Sequence, residues 1–155
     1  MLTPPPLALY IHLPWCERKC PYCDFNSYQR EAELPFAAYA ARLLEDLGQE
    51  AGFAAGRAAA SVFIGGGTPS LFPAEVVHAL LAGVRARLAL EDDAEVTLEA
   101  NPGSAEAARF RGYRAAGVNR LSIGVQSFAD DCLRALGRVH DAREAHVAVA
   151  APPPA

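Results

Sequence analysis

LALYIHLPWCERKCPYCDF, residues 7–25, joins two kinds of sequence. Its first part, LALYIHL, is a short apolar run with strand character. Its second part packs Cys16, Cys20 and Cys23 into eight residues. The connection that holds these cysteines runs from about residue 14 to residue 34. A βα turn uses roughly 2–6 residues, and loops this much longer are usually functional.

Three more strand-like runs follow: SVFIG (61–65), AEVTLEA (94–100) and RLSIGVQ (120–126). Continuous apolar character in the second and fourth predicts strands covered on both faces. Helical patterns lie between. FAAYAARLLEDLGQEA (36–51) places Phe36, Tyr39, Ala40, Leu43, Leu44 and Leu47 on one face at i, i+3, i+4 spacing. PAEVVHALLAGVRARLAL (73–90) opens with Pro73 at a first helical position and keeps Val76, Val77, Leu80, Leu81, Val84 and Leu88 to one side. SAEAARFRGYRAAG (104–117) has Ser104 as an N-cap candidate and Gly117 as a C-cap, and ADDCLRALG (129–137) is a shorter helix. Strand and helix therefore alternate four times, the pattern of βαβ units on a parallel sheet. The fold class is α/β, a partial parallel barrel of about four βα units. Four parallel strands cannot close a barrel, and the last would leave an apolar edge open. The chain is thus a small open sheet or part of something larger, and the second reading is preferred.

Length and composition fit one globular domain: 155 residues, 52% apolar and 21% charged. A formal charge of −4 without a basic block gives nucleic-acid binding no compositional support. The N-terminus has no Lys or Arg ahead of its apolar part and is broken by prolines, which makes it a poor signal peptide. No run approaches the roughly 18 apolar residues that span a bilayer. A cytoplasmic location is the default expectation, and there clustered cysteines serve as metal ligands or redox groups more often than as disulfides.

The C-x3-C-x2-C spacing narrows the choice. Structural zinc takes four ligands, typically as two pairs, whereas Cys132 lies far away in a predicted helix. A 4Fe–4S cluster suits three thiolates, with the fourth iron left open to a non-protein ligand. A zinc module and a redox thiol site remain the rival readings. The other polar motifs follow the remaining strands: GGGTP (65–69), Glu99 and Asn101 in LEANPG, and Gln126 with Ser127 in GVQSF. Each alone reads as a turn or strand-end cap. All of them sit at C-terminal strand ends, the face where parallel barrels assemble their sites.

YIHLPWCERKCPYCDF resembles the cluster loop of the radical S-adenosylmethionine (SAM) proteins. In that family SAM chelates the open iron of a 4Fe–4S cluster and is reductively cleaved to a 5′-deoxyadenosyl radical. The motifs YIHLPWC, GGGTP, LEANPG and IGVQSF recur, in this order, in the branch that holds oxygen-independent coproporphyrinogen III oxidases and HemW-type heme chaperones. The resemblance implies a radical SAM barrel with Cys16, Cys20 and Cys23 as cluster ligands. It also implies SAM contacts from Tyr10, Tyr22, Gly66, Gly67, Thr68, Glu99, Gln126 and Arg138. Glycine NH groups suit close approach to a ligand, Glu99 suits an amine or ribose hydroxyls, and Arg138 suits a carboxylate. The oxidases carry a fourth cysteine two residues after the third. Phe25 occupies that position, and CDFNS is similar to the heme chaperones. Heme binding and transfer to a hemoprotein client is therefore the expected role of the intact parent, ahead of porphyrinogen oxidation. Whether the chain is an enzyme stays open, and no electron donor is indicated.

Residues outside this set read as ordinary. His12 fits a satisfied structural histidine, and His78 fits a solvated helix position. His140 and His146 carry little weight as ligands, and Cys132 fits a small helix residue. Trp15 and Phe25 read as shields for the cluster, and the acidic residues of 91–99 as a solvated turn, Glu99 excepted. The resemblance runs from Leu7 to about Ala145, the first part of the family's length. The radical SAM core is placed at 1–145. Residues 146–155 read as an Ala/Pro-rich tail foreign to the barrel, the pattern that a frameshift or premature stop leaves. On that reading the chain alone folds poorly or needs a partner.

Overall fold

The alternation of strand and helix builds one sheet. The computed structural model of the chain describes residues 3–30, 33–103 and 109–150. Strands β1 (Leu7–Leu13), β4 (Ala59–Gly66), β5 (Leu90–Ala100) and β6 (Arg120–Ile123) form a four-stranded parallel sheet in the order β1-β4-β5-β6. Two short strands, β2 (Trp15–Cys16) and β3 (Tyr28–Gln29), pair separately. Helices α1 (Phe36–Glu50), α2 (Ala74–Arg85) and α3 (Phe110–Ala116) connect the main strands. Two more, α4 (Asp130–Ala135) and α5 (Ala142–Ala150), follow β6. The mixed α/β class and the partial parallel barrel are as the sequence predicts.

Period-two alternation sorts the sheet into two faces. Ile11 pairs with Ile64, Ile64 with Leu98 and Leu98 with Leu121, one aliphatic row across all four strands. This face meets Ala40 and Leu47 of α1, Val77, Leu80, Leu81 and Val84 of α2, and Phe110, Tyr113 and Ala116 of α3. The neighbouring row, Tyr10–Phe63–Thr97–Arg120, lies on the other face. Tyr10 there is 57% exposed. The three crossover helices thus cover one face, and the expectation of cover on both faces is corrected. The concave face of an incomplete barrel stays open.

Several boundaries shift for local reasons. β5 begins at Leu90, four residues early, because Leu90 pairs with Ala59 before a register shift near Ala59 and Ser61. Glu91, Asp92 and Asp93 are therefore exposed strand residues and not a turn. α2 ends at Arg85, which frees Leu88 to pack beside Ala54 and Ala59. β6 ends at Ile123, so Gln126 sits in a loop instead of in the strand. There Val125 N–H bonds Ile123 O, Ser127 N–H bonds Val125 O, and Gln126 takes φ +67°. Gly117 does close α3, at φ +107°, while the N-cap candidate Ser104 lies outside the described residues. Helix α5 carries the chain across residue 146 to Ala150 and buries Ala145 and Ala148. No helix among the described residues is long and apolar enough to cross a membrane.

Tyr113 ties the helical layer to the loop after β4. Its buried hydroxyl lies 2.7 Å from Ser70 O and 2.8 Å from Phe72 O, to which it donates. Tyr113→Phe keeps the ring and removes the donor. The expected loss is about 1–3 kcal/mol of unfolding free energy, the usual penalty for a buried acceptor losing its donor. Urea unfolding of the two chains measures it.

Candidate functional site

The cysteine loop is cinched at its base. Tyr28 N–H bonds Pro14 O at 2.8 Å and Arg30 N–H bonds Cys16 O at 2.9 Å, which closes the loop on β2 and β3. Trp15 fastens this base to the core, stacked on Phe72 at 5.8 Å and edge-on to Tyr39 at 4.8 Å. It anchors the loop from the helical side, which corrects its reading as a shield. Phe25 lines the cavity of the three cysteines with its ring 64% exposed. A turn from Cys23 N–H to Cys20 O, 3.1 Å, sets the last two cysteines near each other. All three thiols are free, Cys16 buried and the other two half-buried.

The thiols line one cavity of about 410 Å³ at the C-terminal ends of the strands. Tyr22, Gly66, Gly67, Thr68, Glu99, Gln126 and Arg138 line the same cavity. Tyr10 lies in an adjoining one of about 260 Å³ that shares Gly66, Glu99 and Phe25 with the first. All the positions expected at the site are therefore brought together. Among the described residues, no three His, Cys, Asp or Glu side chains are set to hold a single metal ion. A structural zinc needs its donors within about 2.3 Å of one point. An iron–sulfur cubane takes each thiolate on a different iron, and the three cysteines line the one cavity.

The glycine run answers first to its own chain. A Cβ on Gly67 would lie 2.6 Å from Trp15 O and 2.8 Å from Pro14 O, at the root of the cysteine loop. Gly67 N–H bonds Leu13 O and Thr68 N–H bonds Trp15 O, each at 2.8 Å. Gly66 takes φ +119° and donates its N–H to Glu99 Oε2 at 3.1 Å. Glu99 therefore faces both the glycines and Tyr10, whose hydroxyl pKa is raised by burial and, secondarily, by that carboxylate.

Arg138 is the cross-link of the site. Its Nη2 donates to Asn101 Oδ1 and to Gly124 O, both at 2.6 Å, while Nη1 lies 3.4 Å from Cys20 Sγ and 3.4 Å from Tyr22 Oη. Asn101 in turn donates to Thr68 Oγ1 at 3.2 Å. The four strand-end loops are thus joined through one guanidinium, whose Nε is buried without a hydrogen-bond partner. Tyr22, held in this group, has its pKa raised, first by burial and then by its hydrogen bond with Cys20.

His140, given little weight as a ligand from the sequence, lies beside the site. It is 4% exposed, and Nε2 donates to Val125 O at 3.1 Å, one residue before Gln126. That carbonyl only accepts, so Nε2 carries a hydrogen, and the buried Nδ1 has no partner. Burial chiefly lowers its pKa; Arg138 adds to this, against Val125 O, Glu144 and Asp141. His146 stacks on Phe128 at 4.6 Å, and His78 and Cys132 are exposed.

Comparison with known proteins agrees with this geometry. The family model of the Radical SAM superfamily matches residues 10–150, and the chain belongs to that superfamily. Membership implies SAM and an iron–sulfur cluster as its cofactors. The particular likeness is to heme chaperones. The chain is 56% identical over 145 residues to "Heme chaperone HemW" of Escherichia coli (strain K12), covering 94% of this chain and 38% of that protein. It is 52% identical to the HemW of Haemophilus influenzae, covering 94% of this chain and 39% of that one. The chain thus spans under two fifths of the length of these relatives. A solved structure titled "Coproporphyrinogen III oxidase (HemN) from Escherichia coli is a Radical SAM enzyme" superposes with a TM-score of 0.72 at 31% identity. That match covers 90% of this chain and 32% of the other.

Two outcomes follow. Gly67→Ala forces a methyl group against backbone carbonyls that cannot rotate away, and the cost is of the overpacking order, about 1–3 kcal/mol. Its urea midpoint falls, and iron uptake falls with it. His140 has a folded pKa below its ordinary 6.5, so the unfolded chain binds the proton more readily. Its contribution to stability is present above 6.5 and is lost as pH falls through the folded value. Unfolding at stepped pH shows that loss, and His140→Gln flattens it.

Proposed function

We propose that this chain is the cluster- and SAM-binding core of a cytoplasmic heme chaperone of HemW type. In this reading Cys16, Cys20 and Cys23 ligate a 4Fe–4S cluster. Tyr10, Tyr22, Gly66, Gly67, Thr68, Glu99, Gln126 and Arg138 surround SAM at the open iron. When bound, the cluster supplies SAM with an electron. The chain's own part is to fix three thiolates, to set Glu99, held by the Gly66 N–H, beside the ligand, and to hold the loops together through Arg138. Heme would be carried by the intact protein to a hemoprotein client.

Phe25 carries the choice of chaperone. The ring stands at the position of the oxidases' fourth cysteine and lines both cavities, so no further thiol enters the site at that point. The identity to the HemW proteins over 94% of the chain supports the same reading. A porphyrinogen oxidoreductase is the second reading, favoured by the likeness to the HemN structure.

A graft separates the two. The chain replaces the corresponding N-terminal part of Escherichia coli HemW, and the reconstituted protein is titrated with heme and incubated with coproporphyrinogen III and SAM. Saturable heme binding with coproporphyrinogen left unchanged is expected. Decarboxylation of coproporphyrinogen without heme binding contradicts the proposal and supports the second reading.

A further inference from the structure

The limb that returns from the last cysteine, residues 25–27, has three consecutive carbonyls taken up by donors other than a neighbouring strand. Lys19 Nζ donates to Phe25 O at 3.2 Å and to Ser27 O at 2.9 Å. His12 Nε2 lies 2.7 Å from Asn26 O, between those two. A carbonyl only accepts, so Nε2 carries a hydrogen, and in the neutral ring Nδ1 is the acceptor. The Tyr10 hydroxyl, 3.0 Å from Nδ1, then donates to it. One relay therefore runs from Tyr10 through His12 to the loop. One ammonium closes the loop from inside, from a position between the first two cysteines.

The clip sits where the thiol site needs rigidity. Ser27 is 2% exposed, and its Oγ is 3.9 Å from Cys23 Sγ, so the limb is packed directly behind the third thiol. Phe25 O also accepts Ser27 N–H at 2.7 Å, a tight turn that the Lys19 bond reinforces. Without these donors the carbonyls of Asn26 and Ser27 would have to find water, Phe25 O would keep only its bonds from Ser27, and the limb would be free to swing Cys23 off its place. A flexible loop of thiols gives up conformational freedom when it binds metal; a loop held in shape beforehand gives up less.

We propose that Lys19 and His12 are positioning residues for the three-thiol site: together they hold the limb at 25–27 in shape and so slow the loss of the cluster. The inference rests on the cluster reading above and extends it to two residues that touch neither metal nor thiol.

Iron release tests it. The full chain and its variants are reconstituted anaerobically with iron and sulfide, and a ferrous chelator then strips the iron while the visible charge-transfer band is followed. Lys19→Met and His12→Leu are each expected to release iron faster by roughly 10- to 100-fold, the range found when residues supporting metal ligands are removed. Lys19→Arg and His12→Gln, which keep a donor in reach, regain most of the difference. The urea midpoint of the metal-free Lys19→Met chain stays at the parent value, because Lys19 is exposed and outside the core. If His12→Leu fails to fold, Lys19→Met and Lys19→Arg decide the matter. Release from Lys19→Met within twofold of the parent overturns the clip alone. A parent chain that takes up no iron overturns the cluster reading, and the clip with it.

Discussion

The parallel register of the four strands is the constraint on which the site depends. Because β1, β4, β5 and β6 all run the same way, their C-terminal ends leave the sheet on one side. The cysteine loop, the glycines, Asn101 and the 124–127 turn then meet without any long-range search by the chain. Reversing one strand would send one of these groups to the opposite end. The aliphatic row Ile11–Ile64–Leu98–Leu121 fixes that register, since a slip of one residue would turn it away from the helices.

Convergence alone would give four neighbouring loops, not a site. The joining is done by polar groups that cross between them. Arg138 reaches the cysteine loop, the end of β5 and the end of β6 at once, and Asn101 passes the connection on to Thr68. Gly67 lets the loop after β4 lie directly on the carbonyls at the root of the cysteine loop. His140 holds the carbonyl beside Gln126, whose left-handed backbone is costly for a residue with a side chain. The clip of Lys19 and His12 does for the cysteine loop what Arg138 does for the set.

What the sequence revealed and what it hid divide along the distance between partners. Alternation of strand and helix is written locally, in apolar periods, and so was the C-x3-C-x2-C spacing; both were legible. The strand-end positions of the glycines, Glu99 and Gln126 followed from that alternation together with family likeness. Hidden features depend on contacts that no local pattern records. Arg138 meets Cys20 across 118 residues and Asn101 across 37. Trp15 read as a cluster shield because its neighbours Phe72 and Tyr39 are far away in sequence. The start of β5 was hidden by the register shift, and the early end of β6 by a positive φ that glutamine does not advertise.

The central claim is that Cys16, Cys20 and Cys23 hold a four-iron cluster with one corner open to SAM. Electron paramagnetic resonance of the reconstituted, reduced chain, recorded with and without SAM and alongside metal analysis, tests it most directly. The account predicts about four irons per chain and a signal that changes when SAM is added. A single tightly bound zinc, or a cluster signal that SAM leaves untouched, would contradict it.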